Sequence, residues 1–260
     1  MKNLLLLLFF TLSYERAYSC ECIPPPLMDT YQGSDFVAVV KILKATPDPK
    51  NDTYRTVEIK TIDQYKGTPT KSLLVNIEAH TSCAFSIPEN STWLVFARKG
   101  EKGVLGFGAC SGSRRIEPAY DAVAHPRAAQ YYQKNLETTL AVLSYFRTNE
   151  WESSNPHHLN INDIGLHDTT IFRGFENQNK FAVYELDINE DLSIRKTTTL
   201  LAFDNPKLDR LFSQYLYKKA RVNSSRRKTI PTKTKLFVMF HYYPAQGNAP
   251  SAVSQHLWVD

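Results

Sequence analysis

The sequence predicts a mainly β chain in two domains: a five-stranded closed barrel or sandwich with a flanking helix, then a small α+β unit. Three observations carry this. Between residues 34 and 110, five runs rich in β-branched and aromatic residues are separated by Pro, Gly or Asn. A leucine period of helical spacing comes next. A polar stretch over 148–164 then interrupts the pattern, and strand-like runs resume beyond it. Composition agrees: 260 residues suffice for one large or two small domains, and 42% hydrophobic against 22% charged residues is globular.

The elements follow in order. Runs 34–45 (SDFVAVVKILKA) and 53–65 (TYRTVEIKTIDQY) are separated by Pro47, Asp48 and Pro49, which punctuate a turn. Shorter strands are expected over 72–78, 92–98 and 104–109. Leu136, Leu140 and Leu143 recur at helical spacing, and Pro126 suits a first helical turn, so a helix is expected over 126–147. Ser153, Ser154, Asn155 and Pro156 mark a linker that few contacts should cross; the adjacent His157 and His158 point apart in extended or loop backbone and read as solvated rather than metal-binding. Strands are then expected over 169–175, 181–188 and 194–203, with Asn189, Glu190 and Asp191 turning the chain. Asn205 caps a helix that Pro206 opens, with Leu208, Leu211, Phe212, Tyr215 and Leu216 as its apolar stripe. The run 235–243 (KLFVMFHYY) completes a β-β-β-α-β unit.

The N-terminus reads as an export signal. Lys2, the apolar run 4–12, and the small residues Ala17 and Ser19 form the three parts of a secretory signal peptide over 1–19, whose removal leaves Cys20 first. The apolar run is too short to span a bilayer, so no transmembrane segment is expected in the mature chain. Export makes the four cysteines, Cys20, Cys22, Cys83 and Cys110, disulfide candidates. Cys20 and Cys22 are poorly placed to bond each other, which leaves two long-range pairings between which the sequence does not choose. A zinc site is the competing reading, but no second C-x-C or His-x-Cys accompanies the four.

Charge divides unevenly. Residues 20–150 carry 15 basic and 14 acidic side chains, whereas 165–260 carry 14 basic and 9 acidic. Lys218, Lys219, Arg221, Arg226, Arg227 and Lys228 account for much of the excess. Such a run near a helix end commonly forms a solvated face suited to the dipole; anionic lipid or polysaccharide is the sharper alternative. The net charge of +5 does not point to nucleic acid.

Cys20-Glu21-Cys22-Ile23-Pro24-Pro25, Ser34-Asp35-Phe36-Val37, Tyr65-Lys66-Gly67, Cys83, Trp93-Leu94-Val95-Phe96-Ala97 and Cys110 fall in one register. Over residues 20–147 this pattern resembles the netrin-like module of the tissue inhibitors of metalloproteinases. The resemblance implies an OB-type five-stranded barrel with a flanking helix and the disulfides Cys20–Cys83 and Cys22–Cys110. It also implies that the α-amine and carbonyl oxygen of Cys20 chelate the catalytic zinc of a target protease, a metal that keeps one coordination position open. Glu21, Cys22, Ile23 and Pro24 would line the cleft, with Ala79, His80, Thr81 and Ser82 as the neighbouring contact loop. The family's third disulfide in this module and its cysteine-rich C-terminal part are missing here. Glu21 stands where the family places a small or hydroxyl residue, and an unpaired carboxylate is costly in an apolar pocket, so the resemblance implies a polar or basic target pocket or a module that only binds. Lipid anchoring through Cys20 fits less well, because an aliphatic residue is usual where Ala17 stands and a thioether would consume the thiol.

Phe181-Ala182-Val183-Tyr184-Glu185-Leu186-Asp187-Ile188-Asn189-Glu190-Asp191, Asn205-Pro206-Lys207-Leu208-Asp209 and the strand over 236–242 resemble the C-terminal domain of the TonB energy transducer. That resemblance covers 165–260 and implies docking by strand addition to a sheet edge; the transducer's membrane helix and long spacer are not visible. No G-x-S-x-G, H-E-x-x-H or phosphate-binding glycine loop is present, and Asn51, Asn90 and Asn223 stand in N-x-S/T sequons. The sequence therefore predicts a secreted, periplasmic or cell-envelope binding protein that is not an enzyme and needs no cofactor. A zinc metalloproteinase is the first partner and an envelope protein the alternative.

Overall fold

The computed structural model describes residues 25–101, 103–118, 121–151, 155–161, 169–224 and 227–255. Its first element, a six-residue helix α1 (Leu27–Gln32), carries no periodic signal in the sequence. Strands β1 (Phe36–Pro47), β2 (Tyr54–Lys66), β3 (Ser72–Asn76), β4 (Thr92–Lys99) and β5 (Leu105–Gly108) follow, each end within two residues of the expected run. They close into a five-stranded barrel in the order β1-β2-β3-β5-β4-β1, antiparallel throughout except for β3 beside β5. β1 closes the ring: it pairs with β2 along one edge and with β4 along the other, from Phe36↔Ala97 to Lys41↔Thr92. An order of this kind is compatible with an OB-like fold.

Successive side chains of a strand face opposite ways, and here both faces are covered. Phe36, Ala38, Val40 and Ile42 share the barrel interior with Val57, Leu73, Val75, Trp93, Val95 and Phe107. Val37, Val39, Leu94 and Phe96 join a second buried cluster on the outer face. A two-residue strand β6 (Arg114–Arg115) extends the sheet beside β4. The expected helix is α2 (Pro126–Thr148), which lays Leu136, Val142, Leu143 and Phe146 on that outer face. Arg114 Nη2 donates to Thr139 Oγ1 at 2.5 Å and the Tyr132 hydroxyl donates to the Arg115 carbonyl, so β6 ties helix to barrel.

In the second half, β8 (Phe181–Ile188), β9 (Ile194–Leu201), β11 (Thr234–Tyr243) and β12 (Ala252–Ser254) form a sheet in the order β12-β11-β8-β9. A separate ladder joins β7 (Leu159–Ile161) to β10 (Val222–Ser224). Helix α3 (Pro206–Lys219) starts at the expected residue, with the Asn205 side chain accepting from the amides of Lys207 and Leu208 at 3.1 Å each. Its Leu208, Phe212 and Leu216 meet Ala182, Tyr184, Leu186, Val238 and Phe240 on one face of the sheet. The Tyr184 hydroxyl, deep in that core, donates to Asp209 Oδ1 at 2.8 Å; burial first, and the carboxylate second, push its pKa far up.

One expectation is corrected. Residues expected as a strand over 169–175 make a 3₁₀ turn (Thr169–Phe172) ended by Gly174 at φ +78°. The β-branched composition reads as strand, but the structure uses the segment as a plug: fully buried Phe172 lies 4.8 Å from Phe212 and 5.2 Å from Tyr215, centroid to centroid. The two halves flanking the polar stretch after α2 also share buried residues. Phe181, Val183 and Met239 from the other face of the sheet lie in the same buried cluster as Val37, Phe96 and Phe146 of the barrel half. Trp151 spans the junction, 5.5 Å from Phe146 and 4.6 Å from Phe237.

Deleting a buried phenyl ring costs about 3–5 kcal/mol through lost transfer energy and the cavity left behind. Phe146→Ala should therefore lower the urea midpoint strongly. Since the cluster draws on both halves, far-UV CD and tryptophan fluorescence should report one coincident transition. Two separated transitions would show that the halves unfold independently.

Candidate functional site

Of the residues the sequence singles out, Cys20, Glu21, Cys22, Ile23 and Pro24 lie outside the described residues. The described chain begins immediately after them and is held firmly. The Thr30 amide donates to Pro26 O at 3.0 Å and its hydroxyl to Pro25 O at 3.3 Å. Met28, Thr30 and Tyr31 of α1 are buried, and the Tyr31 ring sits 4.8 Å from Phe146.

The short motifs of the first half explain this anchorage. Ser34 Oγ donates to Thr30 O at 2.7 Å, and Asp35 Oδ2 accepts from the Lys99 amide at 2.7 Å. Lys66 Nζ donates to Tyr31 O at 2.9 Å and Gln32 O at 3.2 Å, placing a cation on the last carbonyls of α1, where the helix terminus is electronegative. It also lies 4.9 Å from the Tyr31 ring centroid, and burial lowers its pKa. Gly67 has φ +88°, and a Cβ there would stand 2.2 Å from Asp35 O. Ser34-Asp35 and Tyr65-Lys66-Gly67 are thus clamps that fix the segment following the N-terminal cysteines onto the barrel.

The Ala79–Ser82 loop is equally well fixed. The Ile77 amide bonds Thr53 O at 2.8 Å and the Phe85 amide bonds Ile77 O at 3.1 Å, pinching the loop at its base. Glu78 and His80 adopt left-handed backbone, at φ 52° and 67°. The Asn76 side chain accepts from the Glu78 amide at 3.1 Å and donates to its carboxylate at 2.8 Å. Thr81 Oγ1 donates to Glu78 O at 2.7 Å and accepts from the Cys83 amide at 3.1 Å. Ala79 is half-buried, whereas His80, Thr81 and Ser82 are exposed. His80 Nε2 lies 2.7 Å from Asp52 Oδ2, and this hydrogen bond holds the Asp52 carboxyl below its usual pKa. Both side chains are more than two-thirds exposed, at 74% and 70%, so the pair adds little stability.

Cys83 sits at the end of this loop and Cys110 in the 3₁₀ turn (Ala109–Ser111) after β5; both are disulfide-bonded. The expected partners, Cys20 and Cys22, lie outside the described residues. Gly112, two residues beyond Cys110, has φ +82°, and a Cβ there would stand 3.1 Å from Thr30 Cγ2. The Cys110 turn therefore lies against α1, close to where the N-terminal segment enters.

Sequence reasoning missed an open groove of about 1080 Å³ lined by Tyr31, Tyr65, Lys66, Phe146, Arg147 and Trp151, among others. Arg147 pairs with Asp63, donates to Gln64 O at 3.1 Å and lies 5.0 Å from the Tyr65 centroid. Burial, then Asp63, raises the Tyr65 pKa beyond the ordinary tyrosine range. The Ser34-Asp35 and Tyr65-Lys66-Gly67 motifs both line it, and their visible role is to hold α1. In the polar stretch, His157 is half-buried, with its carbonyl accepting from Ser224 Oγ at 2.9 Å, and His158 is exposed at φ +50°. Among the described residues no three His, Cys, Asp or Glu side chains could hold a metal ion, and no helix is long and apolar enough to cross a membrane. No protein-family model matches the chain and no curated protein is significantly similar to it.

Gly67 and Gly103 both have positive φ, but nothing lies within 4 Å of a Cβ at Gly103. Alanine at either site bears the backbone strain; only at Gly67 does it also collide with backbone, a kind of overpacking that costs about 1–3 kcal/mol. Comparing the urea midpoints of Gly67→Ala and Gly103→Ala should show the first well below the second. Equal midpoints would mean that α1 is not held by this close approach.

Proposed function

We propose that this is an exported, non-enzymatic binding protein whose mature N-terminus inhibits a zinc metalloproteinase. The observation that supports it best is the closed barrel in the order β1-β2-β3-β5-β4-β1, an OB-type ring in this reading, with the segment after the N-terminal C-x-C clamped to its side. The α-amine and carbonyl of Cys20 would take the open position on the protease zinc. Cys20–Cys83 would hold that ligand beside Ala79–Ser82, and Cys22–Cys110 would hold the strand behind it. Pre-ordering both segments reduces the entropy lost on binding. Glu21 directs the inhibitor toward a protease with a polar or basic pocket, since an unpaired carboxylate is costly in an apolar one.

A second reading, a cell-envelope docking module without inhibition, is favoured by one observation. β9 ends the four-stranded sheet, and among the described residues no strand covers its outer edge. An extended peptide could add there.

Non-reducing peptide mapping of the mature protein should give Cys20–Cys83 and Cys22–Cys110; Cys20 joined to Cys110 would place the amine elsewhere and defeat the chelation geometry. In assays against a panel of zinc proteases, adding one alanine before Cys20 should abolish inhibition without altering the CD spectrum. Inhibition should weaken as pH falls below the α-amino pKa of about 7.7–8.0, because protons compete with zinc for the amine. Glu21→Thr should extend inhibition to proteases with apolar pockets. Inhibition that survives the extension overturns the mechanism, and absence of inhibition by every form favours the docking reading.

A further inference from the structure

A cluster of positive charge at one end of the second sheet is not used by either reading. Helix α3 starts beside the end of β9 near Leu201, and Ser213 Oγ lies 3.4 Å from Thr199 Oγ1 as the helix runs back along that strand. Its C-terminus is therefore at the end of the sheet that carries the turn between β8 and β9. The chain beyond β10 returns to the same end: the Ile230 amide donates to Glu190 O at 2.9 Å in that turn, and Thr234 pairs with Ile188. Lys218, Lys219 and Arg221 at the helix end and Arg227, Lys228 and Lys233 on the returning segment are all exposed.

Three other cations of the second half are in ion pairs, two of them on the strands next to this end. Lys235 pairs with Glu185 at 2.9 Å and Arg195 with Asp187 at 2.8 Å, and Lys180 reaches Glu137 at 3.7 Å. None of the six cations at this end is in an ion pair among the described residues. Two carboxylates lie in the turn at this end, and they do not balance the six cations. Asp191 turns to the Ser193 amide and hydroxyl, at 3.0 and 2.6 Å, and Glu190 is an exposed carboxylate in no ion pair among the described residues.

Compensation of the helix dipole accounts for Lys218 and Lys219. It does not account for Arg227, Lys228 and Lys233, which follow β10 on chain pinned by the buried side chain of Ile230, 3% exposed. Four of the six are lysines, compact charges suited to a surface of phosphates rather than to one shaped, bidentate ligand. Tyr217, 52% exposed, stands next to Lys218 and supplies the amphipathic ring common at membrane interfaces.

We propose that this end of the second sheet docks the protein on an anionic phospholipid surface, its six cations meeting the headgroup phosphates. Each Lys or Arg near such a surface adds about fivefold in partitioning, so removing three should reduce it about 100-fold.

The test uses the full mature protein in vesicle co-sedimentation. Vesicles of equimolar phosphatidylcholine and phosphatidylglycerol should bring the protein down, and pure phosphatidylcholine should not. Binding should fall as salt rises, because the screening length shrinks from about 10 Å at 0.1 M to about 3 Å at 1 M. The triple variant Arg227→Gln, Lys228→Gln, Lys233→Gln should lose about 100-fold in partitioning with an unchanged thermal melt. Lys44→Gln, Lys60→Gln, Lys71→Gln removes the same charge from exposed barrel positions and should leave binding as it is. Equal binding to both vesicle types, equal losses in the two triple variants, or binding to heparin with none to anionic vesicles would each overturn the proposal.

Discussion

The structure depends on one strand, β1, being buried on both of its faces and bonded along both of its edges. Along its edges it closes the barrel between β2 and β4. Phe36, Ala38, Val40 and Ile42 fill the barrel, while Val37 and Val39 form the floor on which α1, α2 and the second sheet rest. A polar side chain on either face would leave an unsatisfied group in one core or the other, which explains the uninterrupted FVAVV run. The strand turns polar only toward Pro47, where exposed positions resume.

The second sheet repeats this arrangement. Ala182, Tyr184 and Leu186 of β8 face α3, and Phe181 and Val183 face the barrel side. β11 divides in the same way, Leu236, Val238 and Phe240 against Met239. Sheet and barrel therefore share the cluster around Phe146, and the aromatic rings of Tyr31, Phe146, Trp151 and Phe237 run in contact across the junction. The surfaces proposed on the two halves are consequently carried on one shared core.

Rigidity around the proposed inhibitory edge comes from polar contacts. Lys66 on the carbonyls of α1, Ser34 on Thr30, and Thr81 bridging Glu78 and Cys83 each satisfy backbone groups that would otherwise compete for water. Their combined effect is to hold two chain segments, residues 25–34 and 77–85, in single conformations. A surface that must present a backbone ligand to a metal depends on such ordering, because the ligand has no side chain of its own to direct it.

Most of the first half was legible in the sequence because its strands carry their period and their punctuation locally: the ends of β1 to β5 and the start of α2 follow from Pro, Gly and Asn beside β-branched runs. The capped start of α3 was legible for the same reason, Asn205 and Pro206 acting within one turn. The N-terminal cysteines and Ala79–Ser82 were chosen on a resemblance, and the structure adds the positive-φ backbone and the hydrogen bonds that shape the loop. Tertiary structure alone decided the rest. Thr169–Phe172 reads as strand and becomes a plug because Phe172 finds Phe212 and Tyr215 rather than a neighbouring strand. β7 and β10 are too short to announce themselves and exist only as each other's partners. Both strand faces read alike as apolar, so the sequence determines that β1 and β8 are buried. Which core each face enters depends on which distant surface covers it, and that is settled only when the chain packs.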